Sequence, residues 1–524
     1  MRGAACATGM LSEDMAEVRT TITKPKPRIR GILGIFLIGC VGAALLHGAW
    51  GWRAERALHD RIETLRAHSQ RVLPEDFSSK RDVNMYENAA RDLRAAIAIA
   101  DDDSEEADSV SWVPSTRPAD PRAWPYLARA TVWFEPAVRR IEAAQRKPIC
   151  DWEHRVPSPA IDLLLPELNG MRGLQNVLST TALVEHRDGR DDLVVRRFAQ
   201  MLYLADTCAQ TPAMVAHSVA LGLNESATTR IELLAPDLRI GTTTGDAPVA
   251  DVHKLIATLL DETTIQSGFD TALQAERMSL TDTIAYLGRD EKQGFALRYF
   301  ARPWVEQQAL AALERATVVI DAVDDAADWP TARARLAALP PMPKRAGLAH
   351  DLDSLTTIRR ASETHFLTLA DRRLAATALA IRLYQRDHAG ARPSTLDELV
   401  PAYLPKIPLD AMAAGGQVIK YLPRADRPVL YSAGQNGVDD SGSEAPMPNE
   451  YGWFNEWRRL DRVFYLTARV RDDIYIPRPT DSDGAMMGGF VYAGGAPPWD
   501  VEARAAAATQ PLLPPPAAAA QPSR

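Results

Sequence analysis

Few residues in this chain have the types and spacing that chemistry demands. Four cysteines occur: Cys6 in an N-terminal tail, Cys40 inside an apolar run, and Cys150 and Cys208 in the large polar remainder. No Cys-x-x-Cys pair and no Cys/His cluster with zinc spacing is present, so a structural zinc site is not expected. Two readings stand for Cys150 and Cys208: a disulfide, should that part of the chain lie in an oxidising compartment, or two buried free thiols. The histidines His154, His186, His217, His253, His350, His365 and His388 are scattered, and a lone histidine in a helical protein ordinarily serves packing or surface. No HExxH, GxSxG, Walker A or GxGxxG pattern occurs. Acid gathers at Asp101–Asp108, which reads as a cation site or, more simply, as a solvated loop. An enzyme whose active site assembles among helices without a local signature stays open as an alternative.

Length and composition narrow the class. At 524 residues two or three domains are expected, and 46% hydrophobic with 24% charged residues is globular composition. A net charge of −8 excludes a nucleic-acid binder, which needs a basic patch.

The elements that would hold any chemistry begin with a membrane span. Gly31–Trp50 carries no Asp, Glu, Lys or Arg, and about 20 such residues cross a bilayer. Trp50 and Trp52 sit where interfacial anchors belong. Lys24, Lys26, Arg28 and Arg30 precede the span without acid, whereas Glu55 and Asp60 accompany Arg53, Arg56 and Arg61 after it. This places the N-terminus in the cytoplasm and the bulk of the chain outside it, on a single-pass anchor in the inner membrane. A cleaved signal peptide is the rival, but His47-Gly-Ala49 puts histidine where cleavage wants a small residue. Met10 or Met15 are alternative starts. Gly39 with Ala43, and Cys40, Ala44 and Gly48, are small residues four apart that read as a weak dimerisation face or as tolerated spacers.

Helices follow. Residues 53–72 carry Leu58, Ile62 and Leu65 on one stripe and are stopped by Pro74; a second amphipathic run takes in Tyr86, Ala90, Leu93, Ile97 and Ala100. Trp112, Trp124, Tyr126, Trp133, Phe134 and Trp152 mark a Pro- and aromatic-rich stretch, read as anchors between helices over a partner surface. Three helices come next. One buries Leu168, Met171, Leu174, Leu178 and Ala182 and stops near Gly189. The second is capped by Asp191 or Asp192 and buries Val194, Phe198, Met201 and Ala205. The third opens at Thr211-Pro212 with Val215, Val219, Leu223 and Ser226 in line. Short turns imply antiparallel packing. The pattern resembles helical-hairpin arrays, although no repeat of about 34 residues aligns. Further helices are predicted near 249–262, 268–289, 303–324 and 350–388, with a break at Pro330–Pro343 and a domain boundary near 345.

Beyond that boundary the pattern changes. A helix through Phe366, Leu369, Arg373, Ala376, Ala380, Leu383 and Tyr384 ends at His388, with Gly390 suited to the left-handed position. Ser394 or Thr395 caps a short helix with Glu398 behind it, and Val418–Tyr421 and Val429–Ser432 read as a hairpin. Tyr384, Gly390-Ala-Arg-Pro393, Leu396-Asp-Glu-Leu399, Pro408-Leu-Asp410, Tyr421 and Tyr431-Ser-Ala-Gly-Gln-Asn-Gly437, completed by Asp439-Asp-Ser-Gly442, resemble the globular module of the type II secretion major pseudopilin over 361–445. Arg392, Ala411 and Asn436 depart from that family's aromatic, proline and aspartate. The resemblance implies that the last loop can hold calcium, with Asn436, Asp439, Asp440, Ser441 and Glu444 as oxygen ligands. The alternative is a solvated Gly/Asp turn. The chain lacks the family's Gly-Phe processing site and membrane glutamate, so it is not itself a pseudopilin. The layout of anchor, helical middle and pseudopilin-like end resembles uncharacterised bacterial membrane-anchored proteins.

The expected fold is therefore mainly α: a tail at 1–30, a transmembrane helix at 31–52, a helical domain at 53–345, a small α+β module at 346–475 and a mostly disordered Ala/Pro tail at 476–524. The expected function is a membrane-anchored binding or scaffold protein with protein partners and no catalytic activity. An accessory component of a type II secretion or pilus-like system is the alternative.

Overall fold

A computed structural model describes residues 27–79, 84–101, 123–290, 294–448 and 454–467. The fold is mostly helical with a small antiparallel sheet. The acidic run past Asp101, Trp112, the extreme N-terminal tail and the 476–524 tail lie outside the described residues.

The first helix, α1 (Pro27–Ala67), joins two elements that the sequence separates. Nothing between Trp52 and Arg53 breaks the helical hydrogen bonding, so the apolar run continues into the charged one. From Ile32 onward the helix is long and apolar enough to cross a membrane, and none of its most apolar stretch is buried in the protein. It ends at Ala67, before Pro74, which instead opens a single turn at Pro74–Phe77. Leu58 and Leu65 are buried and Ile62 half-buried, as their spacing predicts.

Helices α2 (Ala90–Ala100), α3 (Ala123–Trp133), α4 (Glu135–Gln145), α5 (Glu167–Arg187), α6 (Asp191–Ala209) and α7 (Met214–Leu234) build the main core. Tyr86 falls before α2 and is 75% exposed, so the predicted stripe starts at Ala90. Phe134 and Trp152 are buried anchors, and Trp124 stacks under the Arg187 guanidinium at 4.4 Å, but Trp133 faces outward. All nine apolar positions predicted inward on α5 and α6 are buried. On α7 the prediction slips: Val215 is 55% exposed while Ala216, Ala220, Ala227 and Ile231 are buried. This helix packs against α5, α6 and two later helices at once, and a helix covered on most sides loses the one-sided apolar period.

Helices α8 (Val249–Leu260), α9 (Thr263–Leu287), α10 (Phe295–Val323), α11 (Trp329–Ala338) and α12 (Leu355–Asp387) complete the set. After α12, Ala389 and Gly390 both adopt left-handed backbone (φ +50° and +86°), and Gly390 N–H closes onto Gln385 O at 2.7 Å. Glu398 reaches back to accept from the amides of Ser394 and Thr395, capping a 3₁₀ turn where an α-helix is predicted.

Strands β1 (Lys420–Leu422) and β2 (Val429–Ala433) form the predicted hairpin; β3 (Pro446–Pro448) pairs with β4 (Phe454–Arg459), and β5 (Asp461–Tyr465) adds to the far edge of β2. Leu430 pairs with Phe464, and both face the helices. Val429, Tyr431, Val463 and Tyr465 make a second, smaller apolar face. The predicted boundary near 345 does not divide two cores. One cluster runs from Ala89 to Leu466, with α12 packed on α7 and α8 and with Leu430 and Phe464 in it. Trp329 of α11, 2% exposed, donates its indole N–H to Gln435 O and its backbone N–H to Ala411 O. The helical body and the α+β module therefore fold against each other.

Candidate functional site

The loop predicted to hold calcium is built around a carboxylate. Asp461, fully buried at the start of β5, accepts the backbone N–H of Asp440 at 3.2 Å on Oδ1, and those of Gly442 and Ser443 at 2.8 and 3.0 Å on Oδ2. Burial pushes the Asp461 carboxyl above its ordinary range, against the pull of those three amides. The amides of Asp440, Gly442 and Ser443 are thereby spent on Asp461 and shape the turn. Four of the five expected ligands have side-chain partners in or beside the loop. Asn436 Nδ2 donates to Asp440 at 2.7 Å and its Oδ1 accepts from Val438 N–H. Asp439 accepts from the Tyr431 hydroxyl and from Ser441 N–H, and Glu444 accepts from the Tyr465 hydroxyl. Among the described residues no group of three or more His, Cys, Asp or Glu is placed to hold a metal ion. The shape of the loop is set by β5, more than twenty residues downstream of Asn436, and the loop's own letters carry no trace of it.

Cys150 and Cys208 are free thiols in the structure, not a disulfide. They share the main core: Cys208 is 1% exposed and Cys150 is packed against the cluster's edge. Burial pushes the Cys150 thiol up to about 12 and the Cys208 thiol up as well, which keeps both protonated and unreactive at neutral pH.

Most buried ionisable groups serve as ties between elements. Asp371-Arg372-Arg373 on α12 reaches three ways. Asp371 takes Arg462 of β5 at 2.6 Å. Arg372, fully buried, donates to Asn224 Oδ1 and to the carbonyls of Thr258, Leu259 and Asp261 just past α8. Arg373 grips Glu262 at 2.7 Å and Leu409 O at 3.0 Å. Asp410 accepts from Ser432 and from the amides of Ala433 and Met412, fastening the loop before β1 to β2. Three successive charges inside the Ala/Leu-rich run 369–380 are the sequence signal for such ties, because buried charges must be paired.

Two histidine sites differ in kind. His186, in the last turn of α5, bonds Asp191 at 2.6 Å and lies 3.4 Å from Asp237. Burial opposes its charge, but the two carboxylates outweigh burial and raise its pKa to about 9. Asp191 is not the predicted helix cap. It is fully buried as the first residue of α6 and also accepts Arg239 N and Nε at 2.8 and 2.9 Å. His217 of α7 and His365 of α12, by contrast, cluster with Phe269 of α9 as three mutually contacting rings, with His365 stacked on Phe269 at 4.2 Å and 13°, His217 5.2 Å from Phe269 and the two imidazoles 5.6 Å apart. Both rings are buried, and burial lowers both, His217 to about 4.

At the other end of the molecule α1 meets α10. His47 Nε2 lies 2.9 Å from Tyr299 O, Gly51 abuts Pro303, Arg302 bonds Glu55 at 2.9 Å, and Leu58 and Leu65 share a cluster with Val305, Ala309 and Leu313. Numbering rises together along both helices, so they run parallel. The sequence reading stopped at Trp50 and Trp52 and missed Tyr299, Phe300 and Trp304, whose spacing within Phe295–Trp304 was the available signal. Comparison of the chain with protein-family models, with curated proteins and with solved structures returned no match.

Proposed function

We propose that the chain is a membrane-anchored binding or scaffold protein without catalytic activity, its body held on the outer face of the inner membrane. The carrying observation is the unbroken helix α1, which passes from an apolar stretch with no burial in the protein into a segment whose Leu58 and Leu65 sit in the body. The buried charges described above support the same reading, since they tie helices together and do not converge on an open cleft. The basic residues Lys24, Lys26, Arg28 and Arg30 ahead of the span favour a cytoplasmic N-terminus. Cross-linking of the full chain in intact envelopes, read by mass spectrometry, is expected to return a recurrent protein partner; a chain that links only to lipid or to nothing overturns the reading.

A second reading, an accessory component of a secretion or pilus-like apparatus, is favoured by one contact set. The motif pieces quoted from the pseudopilin pattern meet: Asp410 binds Ser432, and Tyr384 donates to Glu398. Loss of the whole chain is then expected to lower the amount of secreted protein, and unchanged secretion removes this reading.

A further inference from the structure

The start of α10 is an overhang. Helix α9 ends at Leu287, and the next residue, Gly288, already sits beside Val305. Residues 295–304 therefore project past the end of α9 for about 15 Å, at 1.5 Å per residue. Their neighbour along that stretch is α1, at the level of His47 to Glu55, and at its far end the Trp304 ring also lies beside Gly347. That level is the end of the apolar span.

The overhang is aromatic and basic. Phe300 is 65% exposed, and Tyr299 and Trp304 are 41% exposed. Trp50 and Trp52 on α1 are also exposed at the same height, and the His47 ring lies 5.7 Å from Trp50, 5.0 Å from Tyr299 and 5.5 Å from Phe300. In 295–305 the only charged residues are Arg298 and Arg302, and Arg302 is held by Glu55 of α1 at 2.9 Å and Glu306 at 2.8 Å, which leaves Arg298 as the charge to meet lipid. Aromatic rings with nearby arginine are the composition of a bilayer interface, where the rings take the headgroup level and the cations meet anionic lipid. In water the same rings would lie exposed beside a helix that is itself apolar.

We infer that residues 295–304 form a second membrane contact, a short interfacial segment bedded in the lipid headgroups alongside the span. The partner is the bilayer that α1 crosses, with anionic headgroups preferred. This rests on the membrane-anchor reading above. Two contacts, a span and a flanking overhang, hold the body at a fixed tilt where one alone would leave it free to lean.

The test uses the full chain reconstituted in vesicles of equal parts phosphatidylcholine and phosphatidylglycerol whose acyl chains carry bromine either near the headgroup or near the chain end. Tryptophan emission is compared for the parent, Trp304→Phe and Trp50→Phe. The share of emission lost on Trp304→Phe is expected to be quenched by the shallow bromines and spared by the deep ones. Moving the reporter, with Phe300→Trp in the Trp304→Phe background, is expected to keep the shallow quenching and covers any packing defect of the single variant. Quenching of the Trp50 share with none for positions 300 and 304 overturns the inference and leaves the anchor standing. No quenching of either share overturns both.

Discussion

His186 and the His217–His365 pair are both buried histidine sites on the central helices, yet they use opposite physics. His186 is kept charged by Asp191 and Asp237 at the end of α5, where the helix dipole also favours a cation. His217 and His365 are kept neutral, clustered with Phe269 and with each other, and both nitrogens of His217 lack a hydrogen-bond partner. One site is a tie between a turn and the loop at 237–247. The other is packing by rings that happen to be imidazoles. The difference teaches that burial alone does not decide what a histidine does in this fold. The carboxylates brought to it by other elements decide.

The largest effect should come from breaking the charged site. Asp191→Ala leaves His186 and Arg239 without their shared buried carboxylate, and a loss of about 3–5 kcal/mol is expected in denaturant unfolding of the full chain in detergent. An effect below about 1 kcal/mol would mean that solvent already satisfies the site. Next in size is the pH dependence. A raised folded pKa gives stability that is fully present below the ordinary value of 6.5 and lost as pH climbs through about 9. That loss is expected to be on the order of 2 kcal/mol, and His186→Gln should flatten the same window. The ring pair carries the opposite sign. A lowered folded pKa gives stability present above 6.5 and lost as pH falls toward about 4, because the unfolded chain takes up the proton first. Thermal unfolding between pH 7 and 4 should therefore show a falling midpoint that the double change His217→Leu, His365→Phe relieves. At neutral pH His365→Phe alone is expected to alter stability by less than about 1.5 kcal/mol, since it keeps the stack and adds no unpaired polar atom. Sensitivity to alkali at both sites, or to acid at both, would erase the contrast. The smallest expected effect concerns the loop around Asp461. Calorimetry with millimolar calcium tests the cation expectation there: heat that Asp439→Asn with Asp440→Asn abolishes supports it, and no heat ends it.

The sequence made some of this readable and hid the rest for identifiable reasons. The stripes on α5 and α6 were legible because each helix buries one face, so Leu168 through Ala205 fall at the helical period. Val215 misled because α7 is covered on several sides. Asp191 looked like a cap because Asp before an apolar run commonly is one; that its carboxylate turns inward depends on Arg239, nearly fifty residues later. The Asp461 nest and the Trp329 clamp on Gln435 are likewise long-range, and no local period encodes them. Pro340–Pro343 do end a helix, but Pro330 opens the unpredicted α11, since proline is tolerated in a helix's first turn, and a break in helix is not a break in core. The apolar stretch of α1 was readable from composition. That the chain leaves it as a helix was readable too, and the merger into one element rests on the absence of turn residues between Trp52 and Arg53.

That merger has a mechanical consequence. A helix advances by about 100° per residue, so on the proposed anchoring the phase of α1 fixes the heading of the whole body around the membrane normal. One residue inserted after Trp52 would swing the body by about 100° relative to the span, and four would bring it most of the way back round. The anchor behaves as a keyed shaft: whatever twists or tilts the buried end turns the outer end with it, a transmission that a flexible leash of equal length could not give.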